Sequence, residues 1–118
     1  MIQLHVRKIK IERKKIMALT VGNYQFDGPY GNTDSLQDAS GVYIIVDNFN
    51  GQNNPIDCGE SATLKSRVDN HDRKDCWTRN SSGTLMVAVL YTPRLQSSGR
   101  VAIEQEIRNA YNFPCGDR

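Results

Sequence analysis

Two apolar runs in the chain have the composition of β-strands. Residues 41–47 (GVYIIVD) are β-branched and aromatic, and residues 84–92 (TLMVAVLYT) are apolar on both parities. The first run predicts a buried or half-buried strand, and the second predicts a central strand covered on both faces. Asn50 and Gly51 supply turn chemistry after the first run, so residues 55–59 (PIDCG) are predicted to return as the second strand of a hairpin.

Helical spacing appears in two later segments. Leu64 and Val68 lie one turn apart behind Ser61, which predicts a helix over about residues 62–71 with Ser61 as its N-cap. A second helix is predicted over about residues 99–112, where apolar positions recur at helical intervals. The polar segments rich in turn residues, 22–40 and 72–83, are predicted to be loops.

These elements predict an α+β fold with a small, three-stranded, mainly antiparallel sheet flanked by helices. The length of 118 residues is typical of one domain, which we assign to residues 17–118. Residues 1–16 form a basic extension with six Lys or Arg and one Glu, hence +5, and the net charge of +2 leaves −3 for the rest. Because Met17 is also a plausible start, the extension is either a nucleic-acid-binding arm or upstream read-through.

The cysteines and the hydropathy bear on metal binding, on the redox setting and on membrane association. Cys58, Cys76 and Cys115 form no CxxC pair, so a zinc site is not favoured. Their odd number, without a secretory signal, favours a reducing, cytoplasmic setting. No apolar run approaches the ~20 residues that cross a bilayer, so no membrane association is expected. A thiol enzyme that pairs Cys58 or Cys76 with His71 lacks a group that would lower the thiol pKa.

Five sequence features contain residue types that take part in catalysis, and they follow one another in a definite order. Gly41–Tyr43 (GVY) opens the first hairpin strand, and Asp57–Gly59 (DCG) ends the return strand. Arg67 and His71 follow Gly59 by eight and twelve positions, and Glu104 lies in the last predicted helix. In this order and spacing, residues 40–116 resemble the GIY-YIG nuclease superfamily. The resemblance implies a GIY-YIG-like fold and a metal-dependent endonuclease that hydrolyses phosphodiester bonds in DNA.

The resemblance also implies a role for each residue. Glu104 would bind Mg²⁺ or Mn²⁺, and Arg67 would stabilise the charge on the phosphoryl oxygens. Tyr43, His71 and Asp57 would share water activation and proton delivery. The two glycines of the signatures, Gly41 and Gly59, would allow close packing of the backbone.

One departure from the family pattern leaves an alternative function open. Asp57 stands where the second signature has a tyrosine that is usually assigned to water activation. Asp57 would either replace it as a base or metal ligand, or mark a catalytically inactive module that binds nucleic acid or protein. In either case, a partner or a homodimer would supply specificity.

Each candidate also has an ordinary structural interpretation. Glu104 is placed to pair with Arg108 at i,i+4, and Arg67 to pair with Asp69 or Asp75. The segment RKDCWTR combines cations with an aromatic ring, a mixture that suits phosphates and stacked bases, or else it is a solvated loop whose tryptophan folds back onto the core. Its candidate nucleic-acid contacts are Arg73, Lys74, Trp77 and Arg79.

Overall fold

The structure is a computed structural model that describes residues 18–116. Five strands form one antiparallel sheet in the order β1-β2-β5-β3-β4. The predicted α+β class holds, but the predicted three-stranded, GIY-YIG-like sheet is wrong because β1 and β2 extend it to five strands. The elements are β1 (Ala18–Val21), β2 (Tyr24–Tyr30), β3 (Gly41–Phe49), β4 (Gln52–Ser61), α1 (Leu64–Asp69), α2 (Lys74–Arg79), β5 (Thr84–Tyr91) and α3 (Ser97–Ala110).

The missed strand β2 lies inside the segment that was predicted to be a loop. Its Gly28-Pro29 pair is typical of a turn, yet Phe26 of the same strand is fully buried. Proline cannot donate to a ladder, and the register between β2 and β5 shifts between Asp27 and Tyr30, around Pro29. The irregular pairing therefore accommodates the proline.

The predicted hairpin is confirmed, with longer strands than expected. Asn50 and Gly51 both have positive φ, 53° and 77°, as a type I′ reversal requires. The register of β3 with β4 shifts between Ile45 and Val46, which leaves Ile56 unpaired opposite them. Such a bulge bends a strand and re-aims its side chains, and here it immediately precedes Asp57. The central position predicted for β5 is also confirmed, between β2 and β3.

The helices depart from prediction at their ends. Helix α1 is shorter than expected, and its cap residue is Thr63; Ser61 instead accepts a hydrogen bond from the Thr63 amide at 2.9 Å. The predicted loop 72–83 contains α2. Helix α3 begins two residues earlier than predicted and ends at Ala110.

The sheet separates two apolar clusters. Alternating residues of β3 face opposite sides, so Tyr43 and Ile45 lie on one face and Val42 and Ile44 on the other. We call these the α1–α2 face and the α3 face, after the helices that cover them. The α1–α2 face buries Leu36, Tyr43, Ile45, Ile56, Leu64, Val68, Trp77, Val87, Val89 and Cys115, and the α3 face buries Val21, Phe26, Val42, Ile44, Val46, Cys58, Ala88 and Ile107.

Two predictions from the sequence, on the basic extension and on membrane association, are addressed by the structure only in part. The basic extension 1–16 lies outside the described residues. Within residues 18–116, no helix has both the length and the apolar character needed to span a membrane.

Candidate functional site

Tyr43 and His71 form the centre of the candidate site. Strand β3 places Tyr43 opposite Gly59 of β4, and a Cβ on residue 59 would lie 2.7 Å from Tyr43 Cε2. Glycine is therefore needed for the ring to cross β4. The Tyr43 hydroxyl lies 2.5 Å from Nε2 of His71, which follows α1. Both side chains are buried, with residue exposures of 1% and 5%.

The hydrogen bonds of His71 define which of its nitrogens carries the proton. The Arg73 amide donates to Nδ1 at 3.1 Å, so in the neutral ring Nε2 carries the proton and donates to the Tyr43 oxygen. Burial, with the charges of Arg67 and Arg73, lowers the pKa of His71 to about 4. Burial, followed by the charge of Asp57, raises the pKa of Tyr43. At neutral pH the pair is therefore an uncharged imidazole and an uncharged phenol.

Asp57 is a fully buried carboxylate with every acceptor direction occupied. Burial opposes its ionisation, but the hydrogen bonds from Arg73 and Trp77 outweigh that effect and hold its pKa below the usual range. An ionised, saturated carboxylate neither takes a proton from water nor binds a metal without giving up these partners. Its donors are the Cys58 amide (2.8 Å), Arg73 Nε (2.8 Å) and Nη2 (3.1 Å), Trp77 Nε1 (2.7 Å) and Arg108 Nη2 (2.7 Å).

Arg67 is the more exposed cation beside this pair. It lies in the last turn of α1, and its side chain is 37% exposed. Its guanidinium pairs with Asp72 at 3.1 Å, and not with Asp69 or Asp75 as the sequence suggested. Asp72 also lies 3.5 Å from His71 Nδ1. Arg67 is thus next to the Tyr43–His71 pair and open to a solvent-borne anion.

Glu104 approaches the cluster from α3. Its Oε2 accepts a hydrogen bond from Arg108 Nε at 3.2 Å, the i,i+4 pair that the sequence allowed. Arg108 also donates to Asp57 and to the Cys58 carbonyl, so it links Glu104 to Asp57. The Tyr43–His71 pair lies on the α1–α2 face, whereas Glu104 projects from the helix that covers the other face.

For the metal site that the resemblance implies, the structure offers one carboxylate, that of Glu104. Within residues 18–116, no three His, Cys, Asp or Glu side chains are grouped to hold a metal ion. The ion pair with Arg108 uses Oε2 of Glu104 and leaves Oε1 outside it. Mg²⁺ keeps several waters and needs only one or two carboxylates. Glu104 therefore fits a single-ligand site and no more.

The predicted nucleic-acid contacts on α2 are divided between core and surface. Arg73 forks onto Asp57, and Trp77 is 5% exposed, with its ring 4.6 Å from that of His71. Lys74 and Arg79 are exposed on the same helix. Sequence reasoning missed Arg73 and Arg108 as ion-pair partners of Asp57, although a charged residue in an apolar return strand signals a need for a cation.

A disulfide closes one side of the Asp57 cluster. Cys76 of α2 and Cys115 are bonded with a Cα–Cα distance of 5.9 Å, whereas the odd number of cysteines favoured a reducing setting. The Cys115 amide donates to the carbonyl of Ile56 at 3.0 Å. The bond thus ties α2 to the segment that runs along β4. Cys58 is free and buried, and burial raises the pKa of its thiol to about 12, so it is no nucleophile.

Comparison of the chain with protein-family models, with curated proteins and with solved structures gives no match in any of the three. The resemblance to the GIY-YIG superfamily therefore stays a prediction from the residues alone.

Proposed function

We propose that the chain is an endonuclease-like hydrolase of phosphodiester bonds in nucleic acid, with DNA as its substrate. The observation that supports this most is the 2.5 Å contact between the Tyr43 hydroxyl and His71 Nε2, with Arg67 beside it. Residues 28 positions apart meet there through side chains that phosphodiester chemistry uses. A cytoplasmic location and a homodimer stay predictions from the sequence.

Arg67 binds the phosphate in this proposal. Its guanidinium is planar and can fork onto two phosphoryl oxygens, and its present partner Asp72 is 72% exposed. A surface ion pair of this kind contributes about 0–1 kcal/mol, so a phosphodiester can replace Asp72 at little cost. Arg67 then neutralises charge that develops on the phosphoryl group.

Tyr43 acts as a hydrogen-bond donor rather than as a base. Because His71 Nε2–H donates to the Tyr43 oxygen, the phenol's own proton is directed elsewhere, and its raised pKa keeps it bound. The hydroxyl therefore orients the attacking water or a phosphoryl oxygen, and His71 fixes its position. Asp57 supports the pair through Arg73, not by taking a proton.

A divalent ion completes the proposal. Glu104 would hold Mg²⁺ or Mn²⁺, which when bound supplies charge neutralisation and a water of lowered pKa.

A catalytically inactive module that binds nucleic acid is the second candidate. The hydrogen bonds of Asp57 favour it. The carboxylate that stands where the family has its water-activating tyrosine is fully engaged by Arg73, Trp77 and Arg108. The pairing of Glu104 with Arg108 favours it as well, since a metal must compete with that cation.

Nicking of supercoiled plasmid in Mg²⁺ or Mn²⁺ tests both candidates. We expect Arg67→Ala to lower the nicking rate by about 10²–10³-fold, as loss of one charge-stabilising group does, and Glu104→Gln to raise the metal concentration required. Lys65→Ala is the matched control, because Lys65 lies on the same helix in an exposed pair with Asp69. Nicking that survives both substitutions contradicts the site. Binding without nicking in either metal supports the second candidate.

A further inference from the structure

An open cavity of about 160 Å³ lies on the α1–α2 face, beside the candidate site. It is formed where the loop after β2 meets the sheet and the two short helices. Its floor and walls are aromatic and aliphatic, and one side of its rim is polar. The apolar lining includes Tyr30, Ile45, Val68, Trp77, Leu85 and Val87, and the rim includes Asn32, Thr33, Asp69 and Lys74.

Trp77 connects this cavity to the candidate site. Its indole lines the cavity, its ring lies 4.6 Å from the ring of His71, and its Nε1 donates to Asp57. A group in the cavity therefore lies one side chain away from the Tyr43–His71 pair. Arg67 lies on the same short helix as Val68 and Asp69, which line the cavity.

The size and lining of the cavity fit a single six-membered ring. An apolar cavity of about 150 Å³ in another protein accommodates benzene. Aromatic and aliphatic walls favour a flat ring. At its edge the Asn32 side-chain NH₂ can donate, and the Thr33 hydroxyl, whose proton goes to Asp69, can accept. A pyrimidine base has this shape, whereas a purine adds a second fused ring.

The charges at the rim suit the backbone that carries such a base. The carboxylate of Asp69 accepts hydrogen bonds from Thr33 at 2.5 Å and Lys65 at 3.0 Å, which lower its pKa and keep it ionised, and the ammonium of Lys65 balances its charge. Lys74 donates to the neutral Asp69 carbonyl at 2.6 Å, and an ammonium has two further protons. With Lys65 paired to Asp69, the ammonium of Lys74 is the charge at this rim that a phosphodiester can contact.

We propose that this cavity takes one unpaired pyrimidine base of a nucleic acid bound at the candidate site. The inference rests on the proposed function and narrows its substrate to single-stranded or locally unpaired strands, because a base must leave its stack to enter a pocket.

Trp77 is the only tryptophan in the chain, so its fluorescence reports directly on the cavity. The test titrates the full chain with an oligothymidylate, an oligodeoxyadenylate and a strand of equal length made of abasic deoxyribose phosphates. We expect the oligothymidylate to quench Trp77 and to bind roughly 5–150-fold more tightly than the abasic strand, the range for loss of one stacked base. Oligodeoxyadenylate should fall between them.

Two variants assign the effect to the cavity. Tyr30→Leu removes an aromatic wall, and Leu85→Phe fills the space from β5, because Leu85 packs on the α1–α2 face. Each should bring oligothymidylate affinity close to that of the abasic strand, which itself should not change. Tyr111→Leu is the control, because Tyr111 lines a separate cavity of about 110 Å³ with residues of the α3-face cluster. Circular dichroism verifies that each variant is folded.

The outcomes separate this inference from the proposed function. Equal binding of thymidylate and abasic strands, with nicking retained, overturns the base pocket and leaves the proposed function intact. Equal weakening by Tyr30→Leu and Tyr111→Leu also overturns the pocket. If no strand binds and no plasmid is nicked, both proposals are wrong.

Discussion

Asp57 and the Tyr43–His71 pair are neighbours on the same face of the sheet, yet their surroundings differ. Asp57 is an ionised carboxylate whose oxygens accept five hydrogen bonds from four residues. Tyr43 and His71 are neutral, and they have the half-exposed Arg67 beside them. The first region joins β4, α2 and α3 into one unit. In the second, the guanidinium of Arg67 is exposed enough to contact a ligand.

The comparison indicates that the departure from the catalytic pattern at Asp57 has a structural role. Position 57 has a charged aspartate where the second signature has a tyrosine, and the chain surrounds that charge with Arg73 and Arg108. A buried ion pair that is complete is a poor source of reactivity but a strong determinant of packing. Variants in the two regions should therefore separate stability from chemistry.

Asp57→Asn should have the largest effect on stability. It leaves Arg73 and Arg108 facing an uncharged amide, and breaking a buried ion pair typically costs about 3–5 kcal/mol. Urea unfolding at pH 7 measures the loss. Asp47→Asn is the matched control, because Asp47 is also buried but accepts only from Ser81, Ser82 and Gly83, so its loss should be about 1–3 kcal/mol. Equal losses would remove the distinction between a carboxylate held by two arginines and one held only by uncharged donors.

Removal of the disulfide should come next. Cys76 and Cys115 are 39 residues apart, and opening a loop of that length typically costs about 2–4 kcal/mol. The measurement is urea unfolding of Cys76→Ser/Cys115→Ser against the oxidised chain. Because the bond holds α2 beside the segment after α3, its loss combined with Asp57→Asn should be non-additive. Additive losses would mean that the bond stabilises the chain independently of the Asp57 ion pairs.

Acid should destabilise the Tyr43–His71 region before the Asp57 region. The pKa of His71 is about 4 when folded and about 6.5 when unfolded, so between these values the unfolded chain binds more protons. Stability should fall by about 1–3 kcal/mol as pH drops from 6.5 to 4. The lowered pKa of Asp57 contributes stability that is present above the ordinary carboxyl range and lost only as pH falls through the lower folded value. Thermal unfolding across this range measures both, and His71→Gln should flatten the upper segment. A flat profile in the wild-type chain would contradict the burial of a neutral His71.

The sequence allowed much of the sheet's centre to be predicted, and less of its edge. The β3–β4 hairpin and β5 have strong alternation or continuous apolar character, and the Asn50-Gly51 turn is specific. Strand β2 was missed because Gly28-Pro29 signals a turn, and tertiary pairing with β5 overrides that local preference. Helix α2 was missed because its sequence is short and polar, and the burial of Trp77 and the bond to Cys115 are tertiary contacts that no local pattern indicates.

The candidate residues could be named from the sequence, but their contacts could not. The structure brings His71 and Arg67 close to Tyr43, because one short helix follows β4. The partners of Asp57 come from positions 16, 20 and 51 residues away, and no local pattern specifies such distances. The bulge at Ile56, which aims Asp57, is likewise set by the pairing and not by the residue types.

Arg67→Ala should have the smallest effect on stability and a selective effect on phosphodiester binding. Its pair with Asp72 is exposed, so the free energy of unfolding should change by no more than about 0.5 kcal/mol. Binding of a DNA strand should weaken at low salt, and the slope of log affinity against log salt should drop by about one if Arg67 neutralises one phosphate. Fluorescence anisotropy at several salt concentrations measures this, with Arg94→Ala, an exposed arginine in the loop after β5, as control. An unchanged slope, or equal slopes in the two variants, would show that Arg67 is an ordinary surface cation and that this region, like Asp57, serves only the fold.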